Sequence, residues 1–404
     1  MANTIEDEDS QPFPWQLGVY DAHCHPTDTM STVSSIPEMK ARVLTVMATR
    51  AEDQELVAQT ADRFGVKSQN QGSWSQDECV VPCFGWHPWF THQMFDVEDF
   101  GGKETLDQDS KILHYQTILS PKRDHLSEEE RQRFASLPDP KPFSQFLEQT
   151  KRYLTRYPLA LVGEIGLDRS FRIPETWIPG HDGKRDESLT PGGREGRKLS
   201  PYRVNIVHQK KLFKAQLQLA GELQRAVSVH GVQAHGVVFE TLQETWKGYE
   251  KKVLSKREKK KQAEAAKSST QQEVLDADEK QVSPKPFPPR ICLHSYSGNP
   301  DAFKQYLNPA IPAEIYASFS TAINLSDKQD VSAPSALEQL IKMIPDDRIL
   351  IESDLHVAGP RMDQHLEDMV RRLCGIKGWT LSDGVEQLGS NWRMFALGRM
   401  QDLS

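Results

Sequence analysis

The 404-residue chain contains no apolar run approaching the roughly 18 residues of a membrane-spanning helix, so none is expected. Its opening, MANTIEDEDSQPFPW, has neither the basic start nor the apolar stretch of a secretory signal. Cysteine is scarce. Five residues, an odd number without framework spacing, exclude a disulfide-stapled scaffold and suit free thiols in a reducing compartment. An excess of positive charge is also missing: 49 Lys and Arg stand against 57 Asp and Glu, a formal net charge of −8. That excludes a protein that coats nucleic acid non-specifically, because such binding depends on phosphate neutralisation. A local cationic or metal-lined site stays compatible with it. The expected location is cytoplasmic and/or nuclear.

What is present is a recurrence of short apolar, β-branched runs separated by helical or polar stretches. Strands are expected at 17–25, 41–49, 80–88, 159–168, 226–232, 290–298, 314–323 and 348–354. Several are nearly continuous apolar runs, as parallel strands buried on both faces should be. Helical patterns lie between many of them, among them EDQELVAQTADRFG, PFSQFLEQTKRYLTRYP, IVHQKKLFKAQLQLAGELQR and APSALEQLIKMIP. Eight strands alternating with helices are the count of an α/β fold of the (β/α)8 TIM-barrel type, with a core of about 17–398 in one barrel. A doubly wound open sheet is the alternative, since periodicity does not show closure.

Three segments read as insertions: 89–143, a long polar connection; 171–200, rich in Gly, Pro and charge; and 247–289. The last carries eight Lys and Arg against two Glu between Lys247 and Lys261. Good helix formers there predict a helix to about Lys267, continuing one that starts near Val237. Its charge precludes a core role and suggests a solvated element or a partner- or nucleic-acid-binding arm.

The stretch YDAHCHPTD places His23 and His25 one residue apart after an apolar run. On a strand the two share a face, with Cys24 on the other. In a barrel the active site lies at the carboxyl ends of the strands. Those ends carry His23 and His25, then Gly85-Trp86-His87-Pro88, Glu164 and Asp168, His230, His294, and Glu352 with Asp354. Four of these imidazoles, His23, His25, His230 and His294, with the carboxylates of Glu164 and Asp354 can hold two divalent cations, and this donor set suits Zn²⁺, Mn²⁺, Fe²⁺ or Ni²⁺ without any thiolate. Buried without such a counter-charge, the cluster would be expensive. His208 and His235 fall at no predicted strand end and are expected to be structural; His356, two residues past Asp354, is left open.

The motifs DAHCHPTD, GWHPW, VGEIGLD, VSVH, CLHSYSG and ESD, in this order, resemble those of TatD-type metal-dependent deoxyribonucleases among the amidohydrolase-like barrels. The closing NWRMFAL is similar to that family's C-terminal Asn-x-x-x-Phe element. The resemblance spans 17–398 apart from the insertions. It implies two divalent ions (Zn, Mg or Mn), one bound by His23 and His25, a second by His230 and His294. Glu164 would bridge them, and Asp354 would ligate the first and accept a proton. Beside these, His87 is a candidate contact to the substrate or the leaving group. Two departures stand out. Where the family follows its strand-5 histidine with an x-Arg, this chain has Val232. Where the family's last motif reads Glu-Thr-Asp-(Ser/Ala)-Pro, this chain has ESDLHVAGP, with Leu355 and His356 after the aspartate. The implied metal shell is intact and the implied substrate shell altered. That combination, with the insertions, resembles a divergent fungal branch whose members are described as interacting with a TPR-repeat subunit of the anaphase-promoting complex.

The reading that follows is a metal-dependent hydrolase of phosphodiester bonds in DNA, catalytic through Asp354 and Glu164. Hydrolysis of another substrate on the same centre, such as an amide or lactone, is one alternative. A scaffold or interaction protein with weak or no nuclease activity is the other. The metal ligands favour an enzyme; Val232 and the basic insertion favour a scaffold.

Overall fold

The computed structural model describes residues 11–176, 188–190, 197–253, 258, 285–325 and 335–399. Eight strands form one sheet in which neighbours follow chain order. They are β1 (Tyr20–Cys24), β2 (Val43–Met47), β3 (Val80–Phe84), β4 (Leu161–Asp168), β5 (Val227–Val232), β6 (Arg290–Leu293), β7 (Glu314–Phe319) and β8 (Ile349–Ile351). Every pairing in this sheet is parallel. The first four strands are buried along their whole length, which is why they read as unbroken apolar runs rather than alternating ones.

The sheet curls until its two edges meet. The Asp354 N–H donates to the His23 carbonyl at 3.0 Å and the His25 N–H to the Leu355 carbonyl at 2.8 Å. Asp21 reinforces the seam, its carboxylate accepting from the backbone N–H groups of His23 and Ser353 at 3.0 and 3.1 Å. The barrel, not the open sheet, is therefore the architecture.

Helices α1 (Ala51–Phe64), α4 (Phe143–Arg156), α5 (Ile206–Glu222), α6 (His235–Trp246), α7 (Ala336–Met343), α8 (Pro360–Lys377) and α9 (Leu381–Ala396) surround it, while α2 (Gln108–Ile118) and α3 (Glu128–Ser136) lie in the connection after β3. Among the described residues, no helix is long and apolar enough to cross a membrane. Helix α9 closes the amino-terminal end of the barrel. Trp392 stacks on Tyr20 with ring centroids 4.6 Å apart and donates its Nε1–H to Thr45 at 3.0 Å. Asn391 donates to the carbonyls of Asp346 and Ile349, at 2.7 and 2.8 Å, so that it holds the entry of β8.

Two expectations are corrected. The 89–143 connection is not simply polar. Helices α2 and α3 build a small core from Ile112, Tyr115, Ile118, Phe134 and Leu137, joined by Ile173 and Tyr202 from beyond β4. Ser127 and Glu130 form a reciprocal cap at the start of α3. Nor does α6 continue into the basic insertion. It ends at Trp246, Gly248 takes a φ of +88°, and the Lys251 N–H bonds the Ala310 carbonyl at 2.8 Å. That turn leads the chain away from the helix axis. The remainder of the predicted helix, apart from Glu258, lies outside the described residues.

Candidate metal centre

The carboxyl end of the barrel gathers every site residue expected from the sequence. His23 and His25 leave β1 with their Nε2 atoms 3.1 Å apart. Two imidazole lone pairs so close repel unless a proton or a cation lies between them. Glu164, midway along β4, is the centre of the cluster. Its Oε2 lies 3.4 Å from the Nε2 of both His23 and His25. Its Oε1 lies 3.0 Å from His87 Nε2, 2.8 Å from His230 Nδ1 and 2.8 Å from His294 Nε2. One carboxylate thus addresses two separate sets of nitrogens, one per oxygen. Asp354 Oδ1 completes the first set, 3.4 Å from His25 Nε2 and 3.9 Å from His23 Nε2.

The glycines around Glu164 permit this convergence. A Cβ on Gly85 would meet the backbone of Gly163 at 2.7 to 2.9 Å. Gly166 has a φ of +151° and pairs with His230 so closely that a Cβ would lie 2.1 Å from its carbonyl oxygen. Side chains at these positions would push β3 and β5 off β4.

Each imidazole except that of His25 has a second partner that fixes its orientation. His23 Nδ1 faces Ser228 Oγ at 2.8 Å. His230 Nε2 donates to Asp168 Oδ2 at 3.1 Å, leaving Nδ1 for the centre. His294 Nδ1 lies 3.4 Å from Glu352 Oε1, leaving Nε2 for the centre. Glu352 in turn accepts from the hydroxyls of Ser295 and Ser318. Metal-binding histidines are commonly held in this way through their other ring nitrogen. His25 differs: its Nδ1 has no hydrogen-bond partner among the described residues, and its ring stacks on that of His356 at 5.3 Å. His87 also differs. Its Nδ1 accepts from the Trp89 N–H at 3.1 Å, so its Nε2 carries the proton it donates to Glu164. In that tautomer His87 offers the centre a donor rather than a lone pair.

The electrostatics follow from burial and proximity. Burial alone would raise the Glu164 carboxyl, but the imidazoles of His87, His294 and His23 hold it well below the usual carboxylate range. Burial also opposes ionisation of Asp354, yet its hydrogen bond to His25 and the charges of His294 and His23 bring its pKa down to about 2. Burial pushes His87 down to about 4, so it is neutral at pH 7. His25 moves the other way, up to about 9, because Asp354 and Glu164 outweigh its burial. His294 rises for the same kind of reason, through Glu164 and Glu352.

The donor set fits divalent cations. His23, His25 and Asp354 form one group of convergent ligand atoms and His23, Glu164 and His294 another, each with its atoms within 4.8 Å of one another. His87, Glu164 and His230 form a third such group. The close nitrogen pairs and opposed lone pairs are what cations would relieve.

Of the other histidines, His208 Nε2 is engaged with the Thr91 carbonyl at 2.9 Å and His235 packs against Tyr296, so neither joins the cluster. His356 sits on the rim, 2.7 Å from Asp28. Sequence reasoning placed Asp168 and Glu352 on the rim without giving them a task, and it missed Ser228, Trp89 and Arg50. The Asp at the end of GEIGLD was a usable signal for the first of these, but nothing local marks Ser228.

Above the cluster opens a cavity of about 550 Å³. The 171–200 segment contributes Phe171, Leu189 and Thr190 to its wall. Thr190 is anchored there, its N–H donating to the Asp28 carbonyl at 2.8 Å. Val232, at the position where the family resemblance implies arginine, lines the same cavity, as does Arg50. Arg50 is buried and donates to Asp53 at 3.0 Å.

A family model described as TatD related DNase matches residues 20–396. The Cut9-interacting protein scn1 of Schizosaccharomyces pombe is 36% identical over 379 residues, covering 93% of this chain and 98% of that protein. The uncharacterized deoxyribonuclease YMR262W of Saccharomyces cerevisiae is 25% identical over 343 residues, 84% of each. Among solved structures, a hydrolase TatD family protein from Entamoeba histolytica superposes with a TM-score of 0.50 at 12% identity, covering 95% of this chain and 99% of that one, a likeness of fold.

Proposed function

The chain belongs to the TatD related DNase family, and from that premise we propose that it is a two-metal hydrolase of phosphodiester bonds in DNA. The observation that carries this reading is the division of Glu164 between two sets of imidazoles, His23 and His25 on one oxygen, His230 and His294 on the other. In the proposal His23, His25 and Asp354 hold one ion, His230 and His294 the second, and Glu164 both. When bound, two such ions supply charge neutralisation for a phosphate and a lowered pKa for water.

The protein's own groups do the rest. Asp354 is ionised at neutral pH and so can take the proton of the attacking water as its oxygen bonds to phosphorus. The bond from phosphorus to the leaving oxygen breaks, and that oxygen regains a proton from solvent. His87, neutral and with its Nε2–H directed at the cluster, is the proposed contact to the substrate. Asp168 and Glu352 keep His230 and His294 in register.

The test is a nuclease assay on single- and double-stranded DNA with metal-reconstituted protein, beside an Asp354→Asn control. Metal-dependent cleavage that the substitution abolishes supports the reading. Cleavage unaffected by it, or none with any divalent ion, sinks it.

A protein-binding role is a second reading. It rests on the name of the relative 36% identical to this chain, a Cut9-interacting protein, and on the implied TPR-repeat partner. The basic stretch within 247–289 is the proposed arm. Its deletion would abolish partner capture while leaving cleavage kinetics intact.

A further inference from the structure

We propose that the substrate carries a planar aromatic ring beside its scissile bond, and that this ring packs in the cavity on the indole of Trp89, which Phe171 backs. The proposal rests on the hydrolase reading of the same site and names the class of substrate it takes.

Trp89 is 37% exposed at the edge of a cluster whose other members are buried, Asp354 only partly so. An indole left open to water beside a polar centre gains free energy when a ligand covers it. It is also held rigidly. Its Nε1–H donates to Asp168 Oδ2 at 2.6 Å, and the Phe171 ring lies parallel to it, centroids 4.4 Å apart with 9° between the planes. A ligand stacking there does not have to order the side chain first. The wall stands next to the chemistry: the indole is 4.7 Å from the His87 ring and 6.1 Å from that of His230. Asp168 binds both the indole and His230, so the wall and the centre are set by one carboxylate.

The rest of the cavity agrees. Phe90, Ile323 and Val357 line it as well, the last two 54% and 48% exposed. Among the described lining residues Arg50 is the sole Lys or Arg, and it already donates to Asp53. The described part of the wall has no row of cations to follow a phosphate backbone, whereas it does offer a surface for stacking. At about 550 Å³ the cavity has the size of sites for compact ligands. A planar ring can come from two sources, the base of an unpaired nucleotide or the aryl group of a small ester.

The experiment measures binding, so it does not depend on turnover. Metal-loaded full-length protein is titrated with two pairs of ligands by calorimetry. Thymidine 5′-monophosphate is set against 2-deoxyribose 5-phosphate, and phenylphosphonate against methylphosphonate. The ring-bearing member of at least one pair should bind about 5- to 100-fold tighter, the range for one stacked ring; the pair that shows the preference identifies the source. Trp89→Ala should erase the preference and Trp89→Phe should keep most of it, with metal content and circular dichroism confirming that both variants fold. No preference in the wild-type protein, or a preference that survives Trp89→Ala, overturns the proposal. A ring preference without phosphodiester cleavage overturns the nuclease reading alone, and cleavage without a ring preference overturns this one alone.

Discussion

Asp354 and His23 meet twice, once through the backbone and once through their side chains. The Asp354 N–H donates to the His23 carbonyl at 3.0 Å, closing the barrel, while Asp354 Oδ1 lies 3.9 Å from His23 Nε2 in the cluster. Asp354 reaches this place with a φ of +54°, a left-handed conformation that Asp and Asn tolerate better than other side chains with a Cβ. The seam of the fold and the centre of the site are therefore the same few residues.

Asp354→Asn is accordingly the informative substitution. Asparagine keeps the shape and the left-handed backbone but gives up the charge and the proton-accepting oxygen. Hydrolysis should fall by at least about 100-fold, in the range general-base removal produces, while the melting temperature of the metal-free protein stays within a few degrees. Asp354→Ala should cost stability as well, because alanine resists a φ of +54°. Equal melting temperatures for the two variants would contradict this account of the backbone.

Metal content separates His87 from the proposed ligands. Elemental analysis after reconstitution should find up to two divalent ions per chain, and fewer than about 0.2 would contradict the site, since convergent ligands give clear occupancy. The Trp89 N–H engages His87 Nδ1, and Nε2 donates to Glu164. His87→Ala should therefore slow the reaction while leaving occupancy nearly full, whereas His230→Ala should empty a site. Asp168→Asn should weaken metal binding or activity by about 10- to 100-fold, the usual effect of loosening an orienting partner. Loss of metal on His87→Ala would reassign His87 as a ligand.

The effect of metal on stability should grow with pH. In the metal-free protein His25 titrates at about 9, above the roughly 6.5 of an unfolded histidine. Its contribution to stability is complete below pH 6.5 and lost as pH rises through 9. A cation must displace that proton, so affinity rises over the same interval, by about tenfold per pH unit for each proton released. The two slopes have opposite sign. The gain in melting temperature on adding Zn²⁺ should thus be larger at pH 8.5 than at pH 6, as differential scanning fluorimetry would record. A gain that is flat or shrinks across this range would refute the assignment of His25.

The strands and the histidine pairings were legible because both depend on local pattern. Runs such as VLTVM and VVPCF are buried on both faces and announce themselves. A side chain at a strand end needs only its neighbours in sequence to be placed there. What closure of the ring creates was not legible. Ser228 finds His23 across 205 positions, and Glu352 finds His294 across 58; nothing near either residue signals the partner. The helix stop at Trp246 was marked by Gly248, but the good helix formers from Glu250 onward obscured it, and the competing contact, Lys251 to Ala310, is remote. The core shared by α2, α3 and Tyr202 was masked by the charge around it.

Gly166 offers a test of how tightly this closure is drawn. It takes a φ of +151°, and a Cβ there would stand 2.1 Å from the His230 carbonyl oxygen, a backbone atom that has no rotamer to give. Gly166→Ala must either twist β4 out of that conformation or separate β4 from β5. Glu164 and Asp168 lie on β4 and His230 on β5, so both routes disturb the three residues that the centre most needs in register. The substitution should cost about 2 kcal/mol or more, as strain and overpacking at a close backbone contact do, and should lower metal occupancy in proportion to the shift. Gly236→Ala is the matched control. It lies in the first turn of α6, with nothing within 4 Å of the new Cβ, so alanine there should raise stability by about 0.5 to 1 kcal/mol through helix propensity. Chemical denaturation of both variants, with zinc titration of each, distinguishes a local effect of glycine from a requirement of the site. If Gly166→Ala were as stable and as metal-competent as Gly236→Ala, the β4–β5 contact would have slack, and the convergence on Glu164 would need another explanation.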